Sequence, residues 1–207
     1  MMMRARFLFL LCIGLVCIAG SSFATLLDFE NLTPKEDISG TYYGDLYWEF
    51  GNTGYLNVGG SWLCPESKTD ANFYHCPSSG SNNLINSWGC TEIGIQFLAD
   101  VDVFGAYFAG QGYIETWADA VRVSGYRDGD LVGQTDWFTD IDEHPDWFAI
   151  NLTNVDRIVI EAKPAYGYTY GWYGLDDLTY EVIPEPATLI LLSLGGLALR
   201  RTRTARS

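Results

Sequence analysis

An antiparallel, all-β sandwich of jelly-roll type is the fold class that the sequence predicts for residues 25–182 of its 207, and three observations carry it. Apolar residues alternate with polar ones at a period of two instead of 3.6. Glycine-rich turns recur between the alternating runs. No window between Thr25 and Val182 sustains a helical apolar stripe with caps at both ends. A stretch of about 160 residues suits a jelly roll better than a smaller immunoglobulin-like domain.

Taken in order, the runs are these. In TYYGDLYWEF, Tyr42, Leu46, Trp48 and Phe50 share one side of an extended chain, while Asp45 and Glu49 share the other. In TEIGIQFLA, Ile93, Ile95, Phe97 and Ala99 alternate with Glu92 and Gln96. AVRVSGY sets Val121 and Val123 against Arg122 and Ser124, and DRIVIEA repeats the pattern with Ile158, Ile160 and Ala162. Between AVRVSGY and LVGQT stands Arg127-Asp128-Gly129-Asp130, whose Asp-Gly pair tolerates the positive φ of a tight hairpin. Gly51 to Gly54 and Gly110 to Gly112 mark further turns.

Both ends of the chain read as targeting segments. Arg4 and Arg6 precede an apolar run from Phe7 to Ala19, and Ser22-Phe23-Ala24 supplies small residues where a signal peptidase reads, which predicts cleavage after Ala24. An N-terminal anchoring helix is the alternative. At the other end, Pro184-Glu185-Pro186 is followed by the apolar run Ala187 to Leu199 and by Arg200, Arg201, Arg203 and Arg206. As a helix that run spans roughly 20 Å at 1.5 Å per residue, against about 30 Å of bilayer core. It is short for a lasting transmembrane helix, yet the arginines would hold its end on the cytoplasmic side.

These three elements, in this order and paired with a signal peptide, resemble the PEP-CTERM sorting signal of Gram-negative bacteria. The resemblance covers only about the last 25 residues, 183–207. It implies an exosortase as processing partner beside signal peptidase, and an inner-membrane-tethered precursor released or attached at the cell surface in organisms that make exopolysaccharide. The central domain more loosely resembles the sandwich domains carried by such proteins, through TYYGDLYWEF, AVRVSGYRDGDLVGQT and YGLDDLTYE. That second resemblance implies fold and no chemistry.

With the end segments set aside, six basic residues remain between Thr25 and Leu199 against all 26 acidic ones. A surface so acidic repels nucleic-acid phosphates and anionic headgroups and attracts divalent cations. Nucleic acid is therefore excluded as a partner, and a membrane is expected only at the transient C-terminal segment. Cys64, Cys76 and Cys90 remain in the domain. In an oxidising compartment two of them are expected to pair. A Cys64–Cys76 disulfide would staple the loop-like stretch from Pro65 to Ser81, with Cys76–Cys90 and Cys64–Cys90 as alternatives; the CxxC spacing of structural zinc is absent.

Two groups of residues are candidate sites. Asp28 and Glu30 open the domain, and Asp176 and Asp177 lie in its last strand. First and last strands of a jelly roll lie close together, so these carboxylates could converge on a structural calcium ion. The arrangement also resembles the calcium site of carbohydrate-binding jelly rolls; two solvated acidic edges are the alternative. In AYGYTYGWYG an extended chain would put Tyr166, Tyr168, Tyr170 and Trp172 on one face. Such rings are either sandwich core, which the poorly packing glycine-rich opposite face favours, or a platform for sugar rings. Trp62, Trp88 and Trp137 are alternative platforms. The acidic stretch TDWFTDIDEHPDW lacks the glycine of an EF-hand loop at Pro145 and reads as a solvated loop.

His75 and His144 are the only histidines, and neither HExxH nor GxSxG occurs. The expected function is a non-catalytic binding or structural module at the cell surface, associated with polysaccharide. A glycan-active hydrolase using a carboxylate pair on the same sandwich is the alternative.

Overall fold

The computed structural model describes residues 23–52, 60–65 and 74–184. The apolar N-terminal run, Glu185 and Pro186, the apolar C-terminal run and the basic tail lie outside them. Residues Ala24–Val182 form one compact unit, and among the described residues no helix is long and apolar enough to cross a membrane.

Among the described residues ten strands follow one another: β1 (Thr25–Leu27), β2 (Thr41–Tyr43), β3 (Leu46–Trp48), β4 (Ser61–Leu63), β5 (Leu84–Ser87), β6 (Glu92–Gly110), β7 (Ala120–Arg127), β8 (Asp130–Gln134), β9 (Asp146–Lys163) and β10 (Tyr173–Val182). Their pairings are antiparallel in the order β4-β5-β10-β6-β9-β7-β8, with β1 on β10, β3 on β6 and β2 on β3. The fold is the all-β antiparallel sandwich that the period-two alternation predicts. First and last strands do lie side by side, with Thr25 opposite Tyr180 and Leu27 opposite Leu178.

One hydrogen-bonded sheet becomes a sandwich because its two longest strands bend. Register slips between Gln96 and Gly105 of β6, against a β9 in which Asn151 (φ 51°) and Asn154 (φ 59°) take left-handed backbone. Bulges of this kind kink and twist a strand, and asparagine tolerates that conformation better than most residues. On one side of the bend, β6 pairs with β3 and with the C-terminal part of β9; on the other it pairs with β10 and with the N-terminal part of β9. The bend also explains why Ala99 is exposed although it continues the buried series Ile93, Ile95 and Phe97.

Between the layers runs a succession of rings. Phe29 meets Trp48 edge-on at 5.6 Å, Trp48 meets Trp62 at 5.4 Å, Trp62 meets Tyr173 at 6.3 Å, and Tyr173 meets Phe108 at 5.8 Å. Edge-to-face contacts set the positive ring edge against the negative face of the next ring. Trp62 is thus core and not a loop platform: it lies in β4, wholly buried, its indole N–H donating to the Gly94 carbonyl at 3.2 Å.

A second correction concerns TYYGDLYWEF, which is a hairpin instead of one strand. Gly44 (φ 60°) and Asp45 (φ 61°) form a two-residue turn between β2 and β3. Two successive positive φ values match the twist of paired strands. Leu46 and Trp48 are buried as expected, but Tyr42 and Phe50 are 66% and 64% exposed. The Asp128-Gly129 turn joins β7 to β8 as the sequence indicates, with φ values of 52° and 87°.

Candidate functional site

One end of the sandwich gathers aromatic side chains. It is the end where Tyr173 of β10 pairs with Gly110 of β6 and where Ala120 of β7 pairs with Lys163 of β9. Three links converge there: residues 88–91, 111–119 and 164–172.

The 164–172 link is a folded turn and not the extended run expected from AYGYTYGWYG. Ala165 N–H donates to the Tyr170 carbonyl at 3.0 Å, Tyr168 N–H donates to the Ala165 carbonyl at 2.9 Å, and Gly167 takes φ 83°. Left-handed backbone at Gly167 breaks the period of two, so the four rings do not form one face. Tyr166 is 95% exposed and Tyr168 39% exposed, whereas Tyr170 and Trp172 are half-buried. Tyr168 and Tyr170 keep ring contact at 5.0 Å. These rings are therefore neither core nor a flat strip; two of them project from a braced loop.

The bracing comes from buried polar groups. Asn86, wholly buried, donates to the Gly171 carbonyl at 2.7 Å and to the Cys90 carbonyl at 3.0 Å, and accepts from Tyr173 N–H at 2.8 Å. Gly171 N–H also donates to the Gly89 carbonyl at 3.1 Å. Gly89 lies so close that a Cβ there would come within 3.0 Å of Tyr170 Cβ, which sets Trp88, 48% exposed, beside the aromatic turn. Buried amides that satisfy link carbonyls in this way fix the loop without exposing unpaired backbone. Trp137 lies under two cations, with the Arg122 guanidinium 4.5 Å and the Lys163 ammonium 4.4 Å from its ring centre, so its face is already occupied.

Beside the turn opens a cleft of about 380 Å³, lined by Tyr74, Tyr113, Ile114 and Glu115. Tyr74 is clamped by reciprocal backbone bonds to Gly112 at 2.9 and 3.0 Å, and its carbonyl also accepts from Gln111 Nε2 at 2.8 Å. Trp117 meets its ring edge-on at 5.1 Å, and the parallel bridge between Trp117 and Trp172 joins the cleft wall to the aromatic turn. Sequence reasoning missed all four lining residues. The Gly110–Gly112 turn marks the place, but nothing in the sequence shows that Tyr74 pairs across to Gly112.

The four carboxylates of the calcium expectation converge only in part. Glu30 Oε1 accepts from Ser81 and Asn82 N–H at 2.9 and 2.8 Å, while Asp28 bonds only locally, to Glu30 N–H at 3.2 Å. Asp176 Oδ2 accepts from Ser78 N–H, Ser78 Oγ and Ser79 N–H at 2.8, 2.9 and 3.2 Å. Asp177 accepts from Ser78 Oγ at 2.8 Å and from Ser79 Oγ at 3.1 Å. Glu30, Asp176 and Asp177 thus hold one loop, residues 78–82, through its own donors. Among the described residues, no three His, Cys, Asp or Glu side chains stand close enough together to hold a metal ion.

Cys64, Cys76 and Cys90 carry free thiols, which corrects the expected Cys64–Cys76 disulfide. The three sit in different surroundings: Cys64 near Glu36 and Glu30, Cys76 near Glu143 and Asp142, Cys90 against Gly51 and Gly60. Burial pushes the thiols of Cys64 and Cys76 up to about 11 and that of Cys90 up to about 12, so all three are protonated at neutral pH. The acidic loop from Asp136 to Asp146 is solvated, as its composition implies.

No family model matches the chain, and no curated protein matches it. Among solved structures it is similar to the Stig cyclase Fisc from Fischerella sp. TAU, at 10% identity and a TM-score of 0.49, over 79% of this chain and 99% of that one. It is also similar to the CBM51-2 and INT domains of Clostridium perfringens ZmpB in complex with GlcNAc, at 12% identity and a TM-score of 0.37, over 76% of this chain and 32% of that one. The CBM51 of the Clostridium perfringens GH95 protein, in complex with methyl-galactose, is similar at 11% identity and a TM-score of 0.32, over 76% of this chain and all of that one.

Proposed function

We propose that the chain is an exported, non-catalytic module that binds glycan through its aromatic end, delivered by cleavage after Ala24 and by exosortase processing at Pro184-Glu185-Pro186. One observation carries the binding reading: Tyr166 and Tyr168 are exposed on a loop whose backbone is tied to the sandwich through Gly89, Thr116 and the buried Asn86. Ring faces held in place stack on the apolar C–H faces of sugars with little ordering cost. A mobile or buried tyrosine would not serve.

The test is a glycan array run alongside affinity electrophoresis on the producing cell's own exopolysaccharide. Wild-type chain is expected to be retained. The double variant Tyr166→Ala, Tyr168→Ala is expected to lose about tenfold or more in affinity, equivalent to about 1.4 kcal/mol, with an unchanged thermal melt. Absence of retention on every glycan overturns the reading.

A further inference from the structure

We propose that the cleft formed by Tyr74, Tyr113, Ile114 and Glu115 is a subsite for one uncharged hexose unit and rejects anionic sugars; this rests on the glycan-binding reading and names the sugar class it accepts. The cleft's volume of about 380 Å³ lies at the lower end of the range of small-molecule sites. Two phenol rings and an isoleucine offer apolar surface to the C–H face of a pyranose. The Glu115 carboxylate accepts only, and a sugar presents adjacent O–H donors to it, giving short charge-assisted bonds.

The walls are preformed. Besides the Tyr74–Gly112 clamp, the Tyr113–Thr116 turn is closed by Thr116 Oγ1 and Thr116 N–H, which donate to the Tyr113 carbonyl at 2.8 and 2.9 Å. Behind them, the Trp117 indole N–H and Gln111 Oε1 are buried without a hydrogen-bond partner, so this corner of the fold retains unspent polar capacity.

Charge decides the sugar class. Among the described residues that line the cleft none is a cation. Arg122 and Lys163 face Trp137, Arg157 is paired with Glu49 at 2.6 Å, and Arg127 with Asp100 at 2.8 Å. Asp142 and Glu143 lie near Cys76, two residues from Tyr74. Among the described residues a uronate in the cleft would therefore face Glu115 with no counter-charge, whereas a neutral ring meets an acceptor it can satisfy.

The experiment titrates methyl glucoside, methyl galactoside, methyl mannoside and, as the anionic control, methyl glucuronoside into the chain while the ring protons of Tyr74 and Tyr113 are followed by NMR. At least one neutral glycoside is expected to shift both rings and the glucuronoside neither. Glu115→Gln, which keeps the shape, is expected to weaken the neutral glycoside several-fold and to narrow the discrimination against the glucuronoside. Failure of every neutral glycoside to shift these rings, or equal binding of the glucuronoside by wild type, overturns the subsite. Polymer retention that depends on Tyr166 and Tyr168 but is indifferent to Glu115→Gln and Tyr113→Ala also overturns the subsite while leaving the broader reading standing. Ring shifts without polymer retention support the subsite and overturn polymer binding.

Discussion

Asp176 carries a charge that the fold holds almost out of water, at 2% exposure. Burial pushes its carboxyl up to about 6, against the lowering effect of the Ser79 and Ser78 donors. Ser78 Oγ lies 2.9 Å from Asp176 and 2.8 Å from Asp177, yet a hydroxyl has one proton to give. Below about pH 6 a protonated Asp176 supplies the missing one. Because the folded value lies above the unfolded one, the stabilisation is complete below the ordinary Asp range and is lost as pH rises through about 6, a swing on the order of 3 kcal/mol at most. Asp176→Asn, neutral at every pH, is expected to flatten that dependence; urea unfolding at pH 4.5 and pH 8 checks it, and an unchanged slope refutes it. Since the loop's own hydroxyl and N–H groups already occupy these carboxylates, added calcium or EDTA is expected to leave the melting temperature unchanged.

At the level of elements, the turns separate what the sequence made legible from what it did not. Asp128-Gly129 was readable because the flanking strands alternate cleanly on both sides. Gly44-Asp45 has the same conformation, but the apolar alternation runs straight through it, so period alone cannot register the reversal. The bends in β6 and β9 are hidden for the same reason: a bulge shifts the phase at one or two residues inside a run that still looks like strand. Tyr166 and Tyr168 could be found by residue type, whereas Tyr74, Tyr113 and Glu115 meet only through a long-range backbone bridge. The two turns also differ in a measurable way. At Gly129 a Cβ meets nothing within 4 Å, so Gly129→Ala is expected to cost only the backbone strain, about 1 kcal/mol. At Gly44 a Cβ would press on Leu27 Cδ1 at 2.6 Å in addition, so Gly44→Ala is expected to cost about 1 to 3 kcal/mol. Paired thermal melts in which Gly129→Ala proves the more damaging would refute this account.

At the scale of the whole molecule, the arginines among the described residues, Arg122, Arg127 and Arg157, are committed to ion pairs with Glu161, Asp100 and Glu49, so most of the described carboxylates face solvent without a paired cation. Retention on anionic polysaccharide is therefore expected to be weaker than on neutral polysaccharide at low salt, and the gap to close as salt screens it. Intact mass of the exported chain is expected to begin at Thr25 and to lack the arginine-rich tail; a full-length mass refutes the processing proposed above. The direction of β10 has one further mechanical consequence. Its first residue, Tyr173, abuts the aromatic end, and its last, Val182, leads out of the domain after ten residues, about 30 Å of strand at 3.3 Å per residue. On the glycan-binding reading proposed above, β10 is a strut that carries load along its own length, from the binding end at Tyr173 to Val182, where the strand ends.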